Sequence, residues 1–145
     1  MNCAQIQLKW LIWIFLVLML LTFTACDSEI PEQQTVERGG LLYKSGDDHP
    51  FTGFVTGRSQ ERDHIHYYDF KKEYKQGIQD GITLFWYPDG KLESKATYKD
   101  GEIDGFLTSY WPNGKPKSRI HFVDGFRGGS KGEMFWDKNG ERSQG

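Results

Sequence analysis

The sequence predicts an all-β fold, an antiparallel meander of repeated β-hairpins preceded by an N-terminal signal segment. Three observations predict it. Apolar residues make up 37% of the 145-residue chain, yet 19 of them fall within the first 25 positions. Of the 35 that follow, 18 are Phe, Trp or Tyr, whereas Leu occurs five times and Ala once, at Ala96. All 17 glycines come after residue 38. So few aliphatic helix formers beside so much aromatic and glycine content argues against a helical bundle. The third observation is an internal repeat of 24 residues, set out below.

The chain begins with an address. Trp10 to Leu21 is an unbroken apolar run, preceded by a stretch whose only side-chain charge is Lys9. Crossing a bilayer core takes roughly 20 apolar residues, so the run reads as a signal peptide over residues 1–25. Its boundary, LTFTAC over Leu21 to Cys26, resembles a bacterial lipoprotein signal, with Ala25 and Thr24 as the small residues before Cys26 and Phe23 where Leu is usual. That resemblance implies cleavage after Ala25, with covalent diacylglycerol and an N-acyl chain on Cys26. It also implies a bacterial cell membrane location. Asp27 in the next position suggests the inner membrane, facing the periplasm, in a diderm organism. Cysteine usage agrees. Cys3 would be removed, so the mature chain would keep one cysteine and form no internal disulfide. Residues 26–40, the acylated Cys followed by DSEIPEQQTVERGG, are polar and read as a flexible tether.

A repeat domain is expected over residues 41–145. Tyr74 to Thr97 and Tyr98 to His121 align without a gap and are identical at nine of 24 positions. A degraded copy spans about 43–73, and a divergent one, 122–145, carries two extra residues around Gly128 to Gly132. Such a period signals stacked supersecondary units. Asp89-Gly90 and Asn113-Gly114 read as tight hairpin turns. Before them lie the aromatic strands Ile82 to Tyr87 and Phe106 to Trp111. After them, Leu92, Ser94, Ala96 and Tyr98 alternate with Glu93, Lys95, Thr97 and Lys99, as Pro116, Ser118, Ile120 and Phe122 do with Lys117, Arg119, His121 and Val123. Gly77 with Gly81, and Gly101 with Gly105, bracket the connections between hairpins, where positive φ is expected.

The pattern Y-x-x-G-x-x-x-G, then aromatics and an N/D-G turn, resembles the bacterial variant of the MORN repeat. Tyr74, Gly77, Gly81, Trp86 and Gly90 carry it once; Tyr98, Gly101, Gly105, Tyr110 and Gly114 carry it again. HPFTGFV, from His49 to Val55, is similar to a segment common in that family. Proteins of this kind are often grouped as toxin–antitoxin system YwqK-family antitoxins. The resemblance implies a repeat sheet that protects against a toxin by binding it.

Chemistry-bearing constellations are sparse. His64 and His66 would share a strand face, and Asp63 or Glu61 could add an oxygen ligand, but zinc needs three or four donors, and no metal site is expected. Asp100 with Glu102, and Asp104 with Asp89, fall in turns, where acidic residues bond the backbone. No nucleophile elbow, phosphate loop or H-E-x-x-H helix occurs, so neither an enzyme nor a cofactor is expected. With 18 basic and 20 acidic side chains, nucleic acid is not an expected partner. The expected function is a membrane-anchored, non-catalytic binding module, antitoxin- or immunity-like, that holds a protein partner. The alternative is an envelope structural lipoprotein that binds peptidoglycan, lipid or another envelope protein. Glu133 to Trp136 is the expected last long-range strand, and Phe135 and Trp136 are candidate partner-binding side chains at that edge.

Overall fold

A computed structural model describes residues 28–60, 67–128 and 132–143. Thirteen strands run in order: β1 Glu29–Pro31, β2 Thr35–Arg38, β3 Leu41–Lys44, β4 Gly53–Gln60, β5 Tyr67–Lys75, β6 Ile78–Trp86, β7 Leu92–Lys99, β8 Glu102–Ile103, β9 Gly105–Tyr110, β10 Pro116–Val123, β11 Phe126–Arg127, β12 Met134–Trp136 and β13 Arg142–Ser143. A 3-10 turn, Glu32–Gln34, is the one helical element among the described residues, and none there is long and apolar enough to cross a membrane. The sheet order is β1-β4-β5-β6-β7-β9-β10-β12-β13, with β8 on β7 and β11 on β10. Among β4 to β13 every pairing is antiparallel, between strands adjacent in sequence or, for β7–β9 and β10–β12, separated only by the two-residue strands β8 and β11. The all-β hairpin meander is therefore what forms.

Two kinds of turn alternate along it. At one end, Asp100 (φ 51°) and Gly101 (φ 89°) form a two-residue turn with both central residues left-handed, the geometry that matches strand twist. Gln76-Gly77 and Asp124-Gly125 repeat it at the same spacing. At the other end, the turns expected as two-residue hairpins are longer. Gly90 N–H donates to Tyr87 O (2.9 Å) and Tyr87 N–H to Lys91 O (2.8 Å), closing a three-residue loop in which only Gly90 is left-handed. Pro88 at the first loop position presets φ for a type I turn, which explains the difference. Trp111 to Lys115 and Asp137 to Glu141 form the same loop.

These loops are joined sideways. Lys91 Nζ donates to Pro112 O (2.9 Å), and Lys115 Nζ, one repeat later, to Asn139 O (2.7 Å). Tyr87 Oη donates to Tyr110 O (2.7 Å), and its counterpart Trp111 Nε1 to Trp136 O (3.0 Å). Asn113 Nδ2 adds a bond to Lys138 O (2.7 Å). The third loop comes 26 residues after the second rather than 24, in keeping with the longer last unit (Trp111 against Asp137).

The stretch expected as a tether is corrected from Ser28 onward. Ile30 is 7% exposed and forms the core with Phe51, Val55 and Phe70, against which Leu42, Tyr74 and Phe85 pack. Composition concealed this because a single apolar residue, Ile30, carries the burial in an otherwise polar segment. Backbone bonds complete the lock: Phe54 N–H to Ser28 O (2.8 Å), Leu42 N–H to Gly77 O (2.9 Å) and Gly77 N–H to Phe51 O (2.8 Å). β1 runs parallel to β4, unlike the all-antiparallel expectation. A parallel pair needs a crossover, and the β2–β3 hairpin supplies it, forming a small sheet of its own.

Pairing register and the pleat sort the side chains onto two faces. One face carries Val55, Phe70, Phe85, Thr83, Ser94, Ala96, Leu107, Ser109, Ile120 and Ser118. Its N-terminal part is the core, and Thr83, Ser94 and Ala96 are also buried. Ser109 and Ser118 hydroxyls bond at 2.7 Å on this face. The alternation expected after each turn holds from Ser94 and Ser118 onward. One extra residue, Glu93 or Lys117, shifts the register before it, so Leu92 and Pro116 do not continue the pattern.

Candidate functional site

Several candidate residues lie outside the described residues: Cys26 with the expected signal peptide, and Asp63, His64 and His66. Among the described residues no three His, Cys, Asp or Glu side chains are grouped to hold a metal ion. Asp89 and Asp100 sit in turns as expected: Asp89 Oδ1 accepts from Lys91 N–H (3.1 Å) and Asp100 has left-handed φ.

Phe135 and Trp136 are half-buried in β12, which is not the last strand of the sheet. β13 pairs with that strand, Phe135 opposite Ser143 and Trp136 opposite Arg142. The sequence reading stopped at Trp136, but the Asp137–Gly140 loop returns two residues to the sheet. Phe135 pairs with Ser118 and so shares the serine-bearing face; Trp136 lies on the other. Glu133, just before them, accepts from Arg127, which holds its carboxyl below the usual range.

The second face is open to solvent and its side chains form a stripe. Ile82 and Phe106 are 40% and 39% exposed, although large apolar groups. The Arg119 guanidinium lies 3.8 Å from the Phe106 ring centroid, and His121 packs on the other ring contact at 4.9 Å. Lys95 and Arg119 pair with Thr108 from either side, so the two cations flank β9. Lys117 and Lys138 lie 4.9 and 5.5 Å from the Trp111 ring. Among the described residues none of Lys95, Lys117, Arg119 or Lys138 makes an ion pair. Stacking of a cation on a ring contributes about 0.5–1 kcal/mol at exposed positions. The contact favours the Arg119 guanidinium over Phe106 without neutralising it. Sequence reasoning placed Lys95, Arg119 and His121 on the outward side of their strands but missed their conjunction with Phe106. The signal available was aromatic residues at outward positions, where period-two patterning alone expects polar ones.

A cleft of about 450 Å³ lies on the N-terminal side of the sheet, and Glu29, Gln33, Asp69, Phe70, Lys71 and Trp86 are among its lining residues. Asp69 and Trp86 are directly opposed on β5 and β6. Arg58 Nε donates to Asp69 Oδ1 (2.7 Å), and this bond keeps the Asp69 carboxyl below its ordinary range. Lys71 pairs with Glu29. A general acid at neutral pH requires a shift in the opposite direction, so Asp69 is unsuited to proton donation.

Residues 79–100 and 104–124 match the MORN repeat variant. Two segments at the centre of the sheet are thus similar to a MORN repeat variant. They start five and six residues after Tyr74 and Tyr98 (79 against 74, 104 against 98), a difference of phase in the same tandem array. Each match runs through an outward strand, a three-residue loop and a return strand, so the stripe at Ile82, Lys95, Phe106 and Arg119 lies within the matched repeats. Neither curated proteins nor solved structures give a match to the chain. A MORN repeat is a repeat-type binding module, and fold alone does not name what it binds.

Proposed function

We propose that the protein is a membrane-anchored, non-catalytic binding module that captures a protein partner on the Ile82–Phe106–Arg119 face, in an antitoxin- or immunity-like role. The observation that carries the reading is the conjunction of exposed apolar groups with cations that have no internal counter-charge. Arg and aromatic side chains dominate binding hot spots. Here stacking already favours one placement of the Arg, which lowers the entropy cost of association. The chain has a net charge of −2, so a local positive stripe favours an acidic patch on the partner over general electrostatic attraction. Anchoring rests on the lipobox: a diacylglyceryl and an N-acyl chain on Cys26 together exceed the single-chain binding that is only marginal. Asp27 points to the inner membrane in a diderm cell.

Affinity capture with the full chain, compared with the Phe106→Ala/Arg119→Ala variant, tests the face. A partner retained by the wild type should be lost at least tenfold in the variant, and its co-expressed toxicity should be relieved only by the wild type. Equal capture by a folded variant would remove this face. Cys26→Ser should abolish uptake of labelled fatty acid, since an alcohol does not replace the thiol in forming the thioether. Continued labelling would defeat the lipoprotein assignment.

A further inference from the structure

The cleft between β1, β4, β5 and β6 lies apart from the stripe and shares Phe70 with the core. Its volume, about 450 Å³, lies in the roughly 300–1,000 Å³ range of small-ligand sites. Its lining is chemically unusual for a shallow surface cleft. Both carboxylates, Asp69 and Glu29, are matched by cations, Arg58 and Lys71, so the site presents charged hydrogen-bonding groups without net charge. An ionic ligand would have to compete with these pairs and would leave one charge unmatched. A neutral polyol has no such conflict. Each carboxylate keeps lone pairs free to accept further bonds, and the Lys71 ammonium keeps donors beyond the one given to Glu29. Two polar groups in the cleft have no partner among the described residues, the Gln33 amide and the Trp86 indole N–H. The Trp86 ring also supplies an apolar surface beside them, and Tyr67, 44% exposed, is diagonal to it across the β5–β6 pair.

We propose that this cleft is a binding site for a neutral oligosaccharide, which lays a sugar ring against Trp86 and directs its hydroxyls to Asp69, Glu29 and Gln33. The apolar face of a pyranose matches the indole, and its equatorial hydroxyls match a rim of mixed donors and acceptors. The proposal is independent of the protein-binding face, because Trp86 and Phe106 are on strands separated by β7.

The test is calorimetric titration of the purified full chain with chitotetraose, cellotetraose and maltotetraose. Tetragalacturonate and the deacetylated chitosan tetramer serve as anionic and cationic probes. At least one neutral oligomer should bind saturably, and both charged ones at least tenfold more weakly. Trp86→Ala should lower the neutral affinity tenfold or more, and Asp69→Asn should lower it several-fold, with an unchanged circular dichroism spectrum in at least the second. Phe106→Ala should leave it unchanged. The proposal is overturned if no neutral oligomer binds saturably, if a charged oligomer binds as well as the neutral ones, or if folded Asp69→Asn binds as wild type does. Loss of sugar binding in Phe106→Ala would overturn the independence of the two sites without touching the protein-binding reading.

Discussion

Replacing Ile30 by Ala removes most of the side chain by which the N-terminal segment closes the core. Ile30 is 7% exposed and contacts a core whose other buried members are Phe51, Val55 and Phe70. Truncating a buried Ile to Ala costs about 2–5 kcal/mol, the lower values where the surroundings can collapse. Here β1 has three residues and pairs on one side, so it can settle inward, and about 2–3 kcal/mol is the expected loss. In a repeat sheet, neighbours carry the stability of each unit. The loss should therefore concentrate in β4 and β5 and fade towards β10. At tenfold per 1.4 kcal/mol, amide exchange at Val55 and Lys72 should accelerate roughly 30- to 140-fold. The control is Val36→Ala, at a side chain 40% exposed in the β2–β3 hairpin, which should change stability by less than about 0.5 kcal/mol. Hydrogen exchange followed by mass spectrometry reads both. Equal protection of β4 in the two variants would refute the claim that Ile30 closes the core.

Three further outcomes are expected. Gly105 has φ +107°, so Gly105→Val should cost about 1–3 kcal/mol, whereas exposed Thr97→Val should be close to neutral; matching thermal midpoints would contradict that backbone geometry. Burial raises the phenol groups of Tyr74 and Tyr98 above the ordinary tyrosine range. Their contribution is complete below about pH 10 and declines as pH rises through the raised values, so urea midpoints should fall on the alkaline side, and less so in Tyr98→Phe. Trp111→Phe removes the donor to Trp136 O and should cost about 0.5–1.5 kcal/mol, seen as faster exchange in β12 while β5 is unchanged; uniform acceleration would argue against a local joint.

Much of this architecture was legible in the sequence because the repeat states it twice. Asp100-Gly101 and Asn113-Gly114 punctuate strands whose inward positions, Ala96 and Ser94 among them, are buried as alternation requires. What escaped is non-local. Nothing about Ile30 distinguishes it from a stray apolar residue in a polar linker until β4 is placed beside it. Pro88 could have revealed the three-residue loop, since it favours the first position of a type I turn. The binding features were the least legible. Phe106 and Arg119 are 13 residues apart (119 against 106), and Glu29 and Lys71 are 42 apart; only strand register makes them neighbours. A reading by local motif finds turns and strands, but it does not find surfaces.

The sideways bonds between the three-residue loops have a consequence for how such a protein can vary. Two successive units carry a similar coupling: a lysine reaches forward, as Lys91 and Lys115 do, to a carbonyl of the next loop, at its first position in Pro112 and its second in Asn139. Because the forward lysine and the ring donor of Tyr87 or Trp111 recur with the period, an additional copy inserted at the Thr97–Tyr98 boundary would bring the same donors to its joints. With strands about 4.8 Å apart, one extra hairpin lengthens the sheet by roughly 10 Å. Duplication or loss of 24 residues is thus a gauge for reach, adjusting how far the outer face extends while the sealed N-terminal end stays as it is.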